Sequence, residues 1–139
     1  MSLKVAFYKH NKHLFNRLVP WWTKGKYSHV ELVFSDGLSA SSSHIDCGVR
    51  YKKIIFRPER WDVFELEGFN EKEARTRFNQ KLNHRYDYWG IFGFVWGAKK
   101  DSKNREFCSE VVMYSLGFKE SWRFDPNCCF AVLEKFFKK

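Results

Sequence analysis

The dipeptide Asp36-Gly37 separates two stretches of strand composition, and Asp-Gly in that setting is among the strongest hairpin signals. To its left, "KYSHVELVF" (26–34) sets Val30, Leu32 and Phe34 in alternation. Residues two apart in a strand share a face, so His29 and Glu31 stand side by side opposite that apolar row. To its right, "LSASSS" pairs back antiparallel and puts serines opposite the histidine strand. "LKVAFYK" (3–9), "VRYKKIIF" (49–56) and "WDVFEL" (61–66) read as further strands. The last two are separated by a loop around Pro58, and the core of the sheet is expected to be a meander.

Helical signals fall mostly in the second half, giving an α+β reading. "GFNEKEARTRFNQKLNHR" has Asn70 as an N-cap with Glu73 three residues on, then Ala74, Phe78 and Leu82 at four-residue spacing, the pattern of an amphipathic helix. "FCSEVVMYSLGF" (107–118) predicts a helix starting within a residue or two of Cys108, with Gly117 as its C′ residue. "DPNCCFAVLEKFFKK" opens a last helix with Asp125 as N-cap and Pro126 at N1, and with Cys129, Val132, Leu133 and Phe136 expected to face inward. "NKHLFNRLVPWWTKGKY" (11–27) reads as a short helical or irregular segment broken by Pro20, and "YDYWGIFGFVWGA" (86–98) as a second helix or a buried turn-helix.

A length of 139 residues suits one domain over 1–139, and 44% hydrophobic content supplies its core. Fifteen Phe, six Trp and six Tyr exceed what so small a core takes, so some rings are expected to line a groove or contact surface. No run approaches the ~20 apolar residues of a membrane span, and "MSLKVAFYKH" lacks the order of a secretory signal. The expectation is a cytoplasmic protein with no transmembrane segment. Cys47, Cys108, Cys128 and Cys129 include no C-x-x-C pair, so reduced thiols are expected, with no metal and no cofactor. A net charge of +9 predicts attraction to anionic surfaces. The basic residues are dispersed, however, with Arg75, Arg77, Lys81 and Arg85 on one helix and no block of five like charges. A solvated basic surface is therefore the first reading and a nucleic-acid partner the second.

A cysteine in the first turn of a helix lies where free N–H groups and the positive end of the dipole favour the nucleophilic thiolate. Cys108 has that position, and an imidazole such as His29, oriented by a third polar group, would complete a thiol hydrolase. Read singly, each has a structural alternative: a helix cysteine can be core, and a strand histidine can serve a neighbouring carbonyl.

"YSHVELVFSDGLSASSSHIDCGVRYK" resembles the base-bearing stretch of the NlpC-type papain-like cysteine hydrolases, and "FCSEVV" is similar to their nucleophile helix. The histidine precedes the cysteine here, the order of the circularly permuted, YiiX-like branch. "RYDYWGIFGF" is similar to the segment leading into that branch's cysteine helix, and "DPNCCFAVLEKF" to the segment after it. The resemblance implies a permuted papain-like fold and a bacterial or phage origin. It also implies Cys108 as the nucleophile on a peptide, amide or lipid substrate and His29 as general base. The relatives include acyl-transferring enzymes, so acyl transfer to a lipid or thioester stands beside hydrolysis.

The third position departs from the family pattern: Ser39 or Ser41 occupies the usual orienter's strand, Glu31 replaces a glycine beside the histidine, and His44 is a further option. Tyr86, Tyr88, Trp22 and Ser109 are the candidate substrate-binding residues, with Trp21 beside Trp22 as another groove liner. Backbone N–H groups at the start of the cysteine helix are the expected oxyanion donors.

Overall fold

The computed structural model describes residues 3–9, 27–43, 48–82, 85–86, 105–106 and 108–139. Within them the protein is α+β. Strands β1 (Lys4–Tyr8), β2 (His29–Val33), β3 (Ser39–Ser43), β4 (Gly48–Lys52) and β5 (Trp61–Glu65) form an antiparallel sheet in the order β4-β3-β2-β1-β5. Two-residue strands β6 (Arg85–Tyr86) and β7 (Arg105–Glu106) pair in parallel. Helices α1 (Glu71–Gln80), α2 (Cys108–Ser115) and α3 (Pro126–Phe136) complete the described elements, with a short 3-10 turn at Ser121–Arg123. None of these helices is long and apolar enough to cross a membrane.

The Asp36-Gly37 hairpin forms as its chemistry requires. The Asp36 carboxylate accepts from Leu38 N (3.0 Å), and Phe34 O accepts from Gly37 N (3.0 Å). Gly37 takes φ +88°, a conformation that costs an L-residue about 1–2 kcal/mol. Helix α1 docks onto this turn: Ser35 Oγ donates to Glu71 Oε2 (2.7 Å), and Arg75 pairs with Asp36 (3.0 Å) while lying over the Phe34 ring.

The meander holds for the first four strands, but β5 does not continue it. After β4 ends at Lys52, the chain runs to the far side of the sheet and β5 pairs with β1, Ala6 opposite Val63. The strand expected over 49–56 stops at Lys52 because residues 53–60 form that connection, closed by a turn in which Arg57 O accepts from both Arg60 N and Trp61 N (2.9 Å each).

The core gathers one face of the sheet and the helices. Val5, Phe7, Val30, Leu32, Phe34 and Ala40 pack with Ala74 and Phe78 of α1, Val111, Val112 and Met113 of α2, and Cys129 and Leu133 of α3. Phe7 is the hub, with its ring 5.1 Å from Phe130 edge-on and 5.9 Å from Phe64. In α3 the buried stripe is Cys129 and Leu133, continued by the partly buried Phe137 at its C-cap, which packs on Phe69. Phe136, expected inside, is 66% exposed: four-residue steps from Cys129 through Leu133 arrive at 137, not 136.

The expected caps are present. Asn70 accepts from Glu73 N (3.1 Å) and Asp125 from Cys128 N (2.7 Å). Helix α2 ends in a Schellman motif, Phe118 N to Met113 O (3.0 Å) and Gly117 N to Tyr114 O (3.0 Å), with Gly117 at φ +93°. A Cβ at Gly117 would also stand 3.1 Å from Arg77 Nη1, whose group donates to Ser115 O (3.2 Å). Gly117→Ala should therefore destabilise by about 1–2 kcal/mol in urea denaturation; a variant as stable as the parent would contradict this account of the helix end.

Candidate active site

His29 is the first residue of β2, and its placement is fixed by the residues just before it. Asn127, in the first turn of α3, accepts from Tyr27 N and donates to Tyr27 O, both at 3.0 Å. A side-chain amide thus pairs with a strand backbone as a neighbouring strand would. Ser28 N donates to Tyr8 O (3.0 Å), and His29 then faces Tyr8 across the β1–β2 ladder. Tyr8 in turn faces Trp61 of β5, giving a row of three rings, with His29 and Trp61 edge to face at 6.4 Å.

The His29 imidazole has two partners. Its Nε2–H donates to Glu31, and Cys108 lies close enough to raise its proton affinity. Cys108 is the first residue of α2, where the leading N–H groups have no partner within the helix. The helix packs against β2 and β3, which carries that terminus to the histidine strand.

Glu31 has no exposed surface and lies opposite Ala6, whose small side chain leaves it room. A buried carboxylate without counter-charges would take up a proton. Here Arg50 of β4 supplies a bidentate grip, Nη1 to Oε1 at 2.7 Å and Nη2 to Oε2 at 2.6 Å, while His29 shares Oε2. Burial works to raise the Glu31 pKa, but His29 and Arg50 outweigh it and hold the carboxyl below its ordinary value. For His29, burial works downward and the charges and hydrogen bonds of Cys108 and Glu31 work upward; the net pKa is raised to about 9. The imidazole is thus held toward its protonated form at neutral pH.

Ser39 and Ser41 are bonded to backbone carbonyls rather than to His29. Ser39 Oγ donates to Lys52 O and Ser41 Oγ to Val30 O, both at 2.6 Å, because a buried hydroxyl beside strand carbonyls satisfies itself there. Ser109, expected to meet substrate, is fully buried and donates to Phe124 O. Tyr86 contributes backbone to β6; Trp21, Trp22, His44, Cys47 and Tyr88, with most of 11–27 and 86–98, lie outside the described residues.

Sequence reading missed Arg50 and Asn127. The signal for Arg50 was the second hairpin: four residues, 44–47, separate Ser43 from Gly48, and counting back from that pair puts Arg50 opposite Ser41. Asn127 carried no comparable signal, since its partner Tyr27 is 100 residues away.

A groove of about 510 Å³, within the range of small-ligand sites, lies along β5, lined by Phe56, Pro58, Trp61, Asp62, Phe64 and Phe130. Trp61 belongs to both the groove and the ring row ending at His29. Asp62 is bonded by Lys9 (2.7 Å) and by the Tyr27 hydroxyl, and burial together with Asp62 pushes the Tyr27 phenol up. Among the described residues no group of three His, Cys, Asp or Glu side chains is placed to hold a metal.

No protein-family model matches the chain, and no curated protein matches it.

The paired charges make stability pH-dependent with a defined sign. His29, raised from 6.5 to about 9, contributes in full below 6.5 and loses its contribution as pH rises through 9. Glu31, held below 4.5, contributes above 4.5 and loses its contribution as pH falls through its lower folded value. The stability advantage of the native chain over the double variant His29→Gln, Glu31→Gln should be level between 4.5 and 6.5 and shrink toward 9. Urea denaturation across pH checks this; an advantage that stays level through pH 9 would contradict it.

Proposed function

We propose that the chain is a cysteine hydrolase of amide or peptide bonds, on a papain-like fold in circularly permuted order. One observation carries the reading: a cysteine at the first position of a helix lies close enough to act electrostatically on a histidine whose Nε2 is held by a buried carboxylate. That is the nucleophile, base and orienter arrangement of thiol hydrolases. The His29–Glu31 contact supports Glu31 as the third residue, among the Glu31, Ser39, Ser41 and His44 that the resemblance left open.

The chemistry follows from the charges. The Cys108 thiolate attacks the substrate carbonyl carbon, and the oxygen, now an oxyanion, is met by backbone N–H groups at the start of α2. As the tetrahedral species collapses, the C–N bond breaks and the His29 imidazolium gives its proton to the departing amine. Neutral His29 then takes a proton from water as the water attacks the thioester. The carboxylic acid leaves, and the thiolate–imidazolium pair is restored.

The groove beside Trp61 supports a second version of the same chemistry. Rings of Phe56, Trp61, Phe64 and Phe130 suit an apolar acyl or acceptor group, and an acceptor other than water would make the protein an acyltransferase. A basic nucleic-acid module gains less support, because Arg75 and Arg77 on α1 are engaged with Asp36 and Glu73.

Brief iodoacetamide treatment of the folded protein, followed by peptide mapping, tests the reading. Cys108 should be modified at least about tenfold faster than Cys128 or Cys129. Cys128 is more exposed, but burial and Asp125 push its thiol up, and burial pushes Cys129 up further. A Cys108 that reacts only after denaturation would overturn the proposal.

A further inference from the structure

We propose that Arg50 is a positioning residue that governs how tightly the Glu31 carboxylate holds the His29 imidazolium, and so whether His29 can release its proton. The inference rests on the hydrolase reading above and assigns to the site a regulator two strands away from its base.

The geometry is specific. Arg50 presents both terminal nitrogens to both oxygens of Glu31, at 2.7 and 2.6 Å. A two-pronged contact of that kind fixes the plane of the carboxylate as well as its position. The oxygen that receives Arg50 Nη2, Oε2, is the one that receives His29 Nε2. The plane of the imidazole is therefore set through Glu31 by an arginine that does not touch it. Arg50 reaches Glu31 across β3, where it lies opposite Ser41, a small residue whose hydroxyl is tied to Val30 O.

The chemical need is equally specific. A general acid must hold its proton until the leaving group forms and then give it up. Glu31 alone, buried and fully charged against His29, would stabilise the imidazolium strongly and oppose that release. Arg50 competes for the same oxygen and lowers the proton affinity of the pair, while its fork keeps the carboxylate ionised.

The other charged or titratable groups around the site are accounted for by element. Tyr8 of β1 faces His29 in the ladder. On α2, Cys108 interacts with His29, and Glu110 lies buried in the same first turn. From α3, Cys129 couples to Cys108 and Asp125 couples to Cys129. Among these described groups Arg50 is the permanent cation bonded to Glu31.

The test follows the His29 ring proton by NMR titration in the full chain. The native midpoint should lie near 9. In Arg50→Met, removal of a cation raises the proton affinity of the groups it faced, so the His29 midpoint should move up by roughly one pH unit, and Cys108 alkylation at a fixed pH should slow. Unfolding would drive the His29 midpoint the other way, toward the ordinary 6.5. Arg50→Lys, which keeps the charge without the fork, should return the midpoint close to the native value while alkylation stays slowed. A folded Arg50→Met whose midpoint is unchanged or lowered overturns the role of Arg50. A Cys108→Ser midpoint equal to the native one overturns the hydrolase reading instead, whichever way Arg50→Met behaves.

Discussion

A carboxylate with no exposed surface must be neutralised where it stands, and Glu31 is neutralised from two sides by side chains of two different strands. Breaking such a buried arrangement by removing one partner typically costs about 3–5 kcal/mol. The register of β2, β3 and β4 is accordingly tied to charge as well as to apolar pattern. A one-residue slip of β4 would turn Arg50 to the opposite face and leave Glu31 with His29 alone. The interaction that holds the histidine is thus also one that specifies the sheet.

The rest of the fold brings three separate elements to that carboxylate. β2 lies in the middle of the sheet, with His29 and Glu31 paired to Tyr8 and Ala6 of β1. Helix α2 delivers Cys108 by packing on β2 and β3. Helix α3 fixes the start of β2 through the Asn127 amide and closes the core with Phe130 against Phe7. Because β5 returns to the β1 edge rather than extending from β4, Trp61 lines up with Tyr8 and His29, and a groove of mixed aromatic and charged lining shares Trp61 with that row.

What was legible in the sequence was local. Asp36-Gly37, the Asn70 and Asp125 caps, the Gly117 stop and the start of α2 at Cys108 each depend on a few adjacent residues, and each stands where its chemistry required. The β2 alternation likewise identified His29 and Glu31 as neighbours on one face. What was not legible depended on pairings across the chain. The return of β5 to β1 is a topological choice that alternation does not encode, and Asn127 serves a backbone 100 residues away. Ser39 and Ser41 misled because position on the neighbouring strand was taken for reach: a serine side chain is short, and strand carbonyls were closer. Phe136 and Phe137 differ by one step of a helix, and the tertiary contact with Phe69 decided between them.

His29, Glu31 and Arg50 form one connected run of charge from the start of β2 to the outer strand of the sheet, with Cys108 beside His29, and the account stands on that cysteine being a nucleophile toward carbonyl carbon. Intact-mass measurement after brief exposure to p-nitrophenyl acetate, with peptide mapping of the acid-quenched product, tests that most directly. The predicted result is a single acetyl group on Cys108 that forms and then disappears on continued incubation, is absent in Cys108→Ser, and forms far more slowly in His29→Gln. Acetylation confined to lysines or to Cys128, with Cys108 untouched in the folded protein, would contradict it.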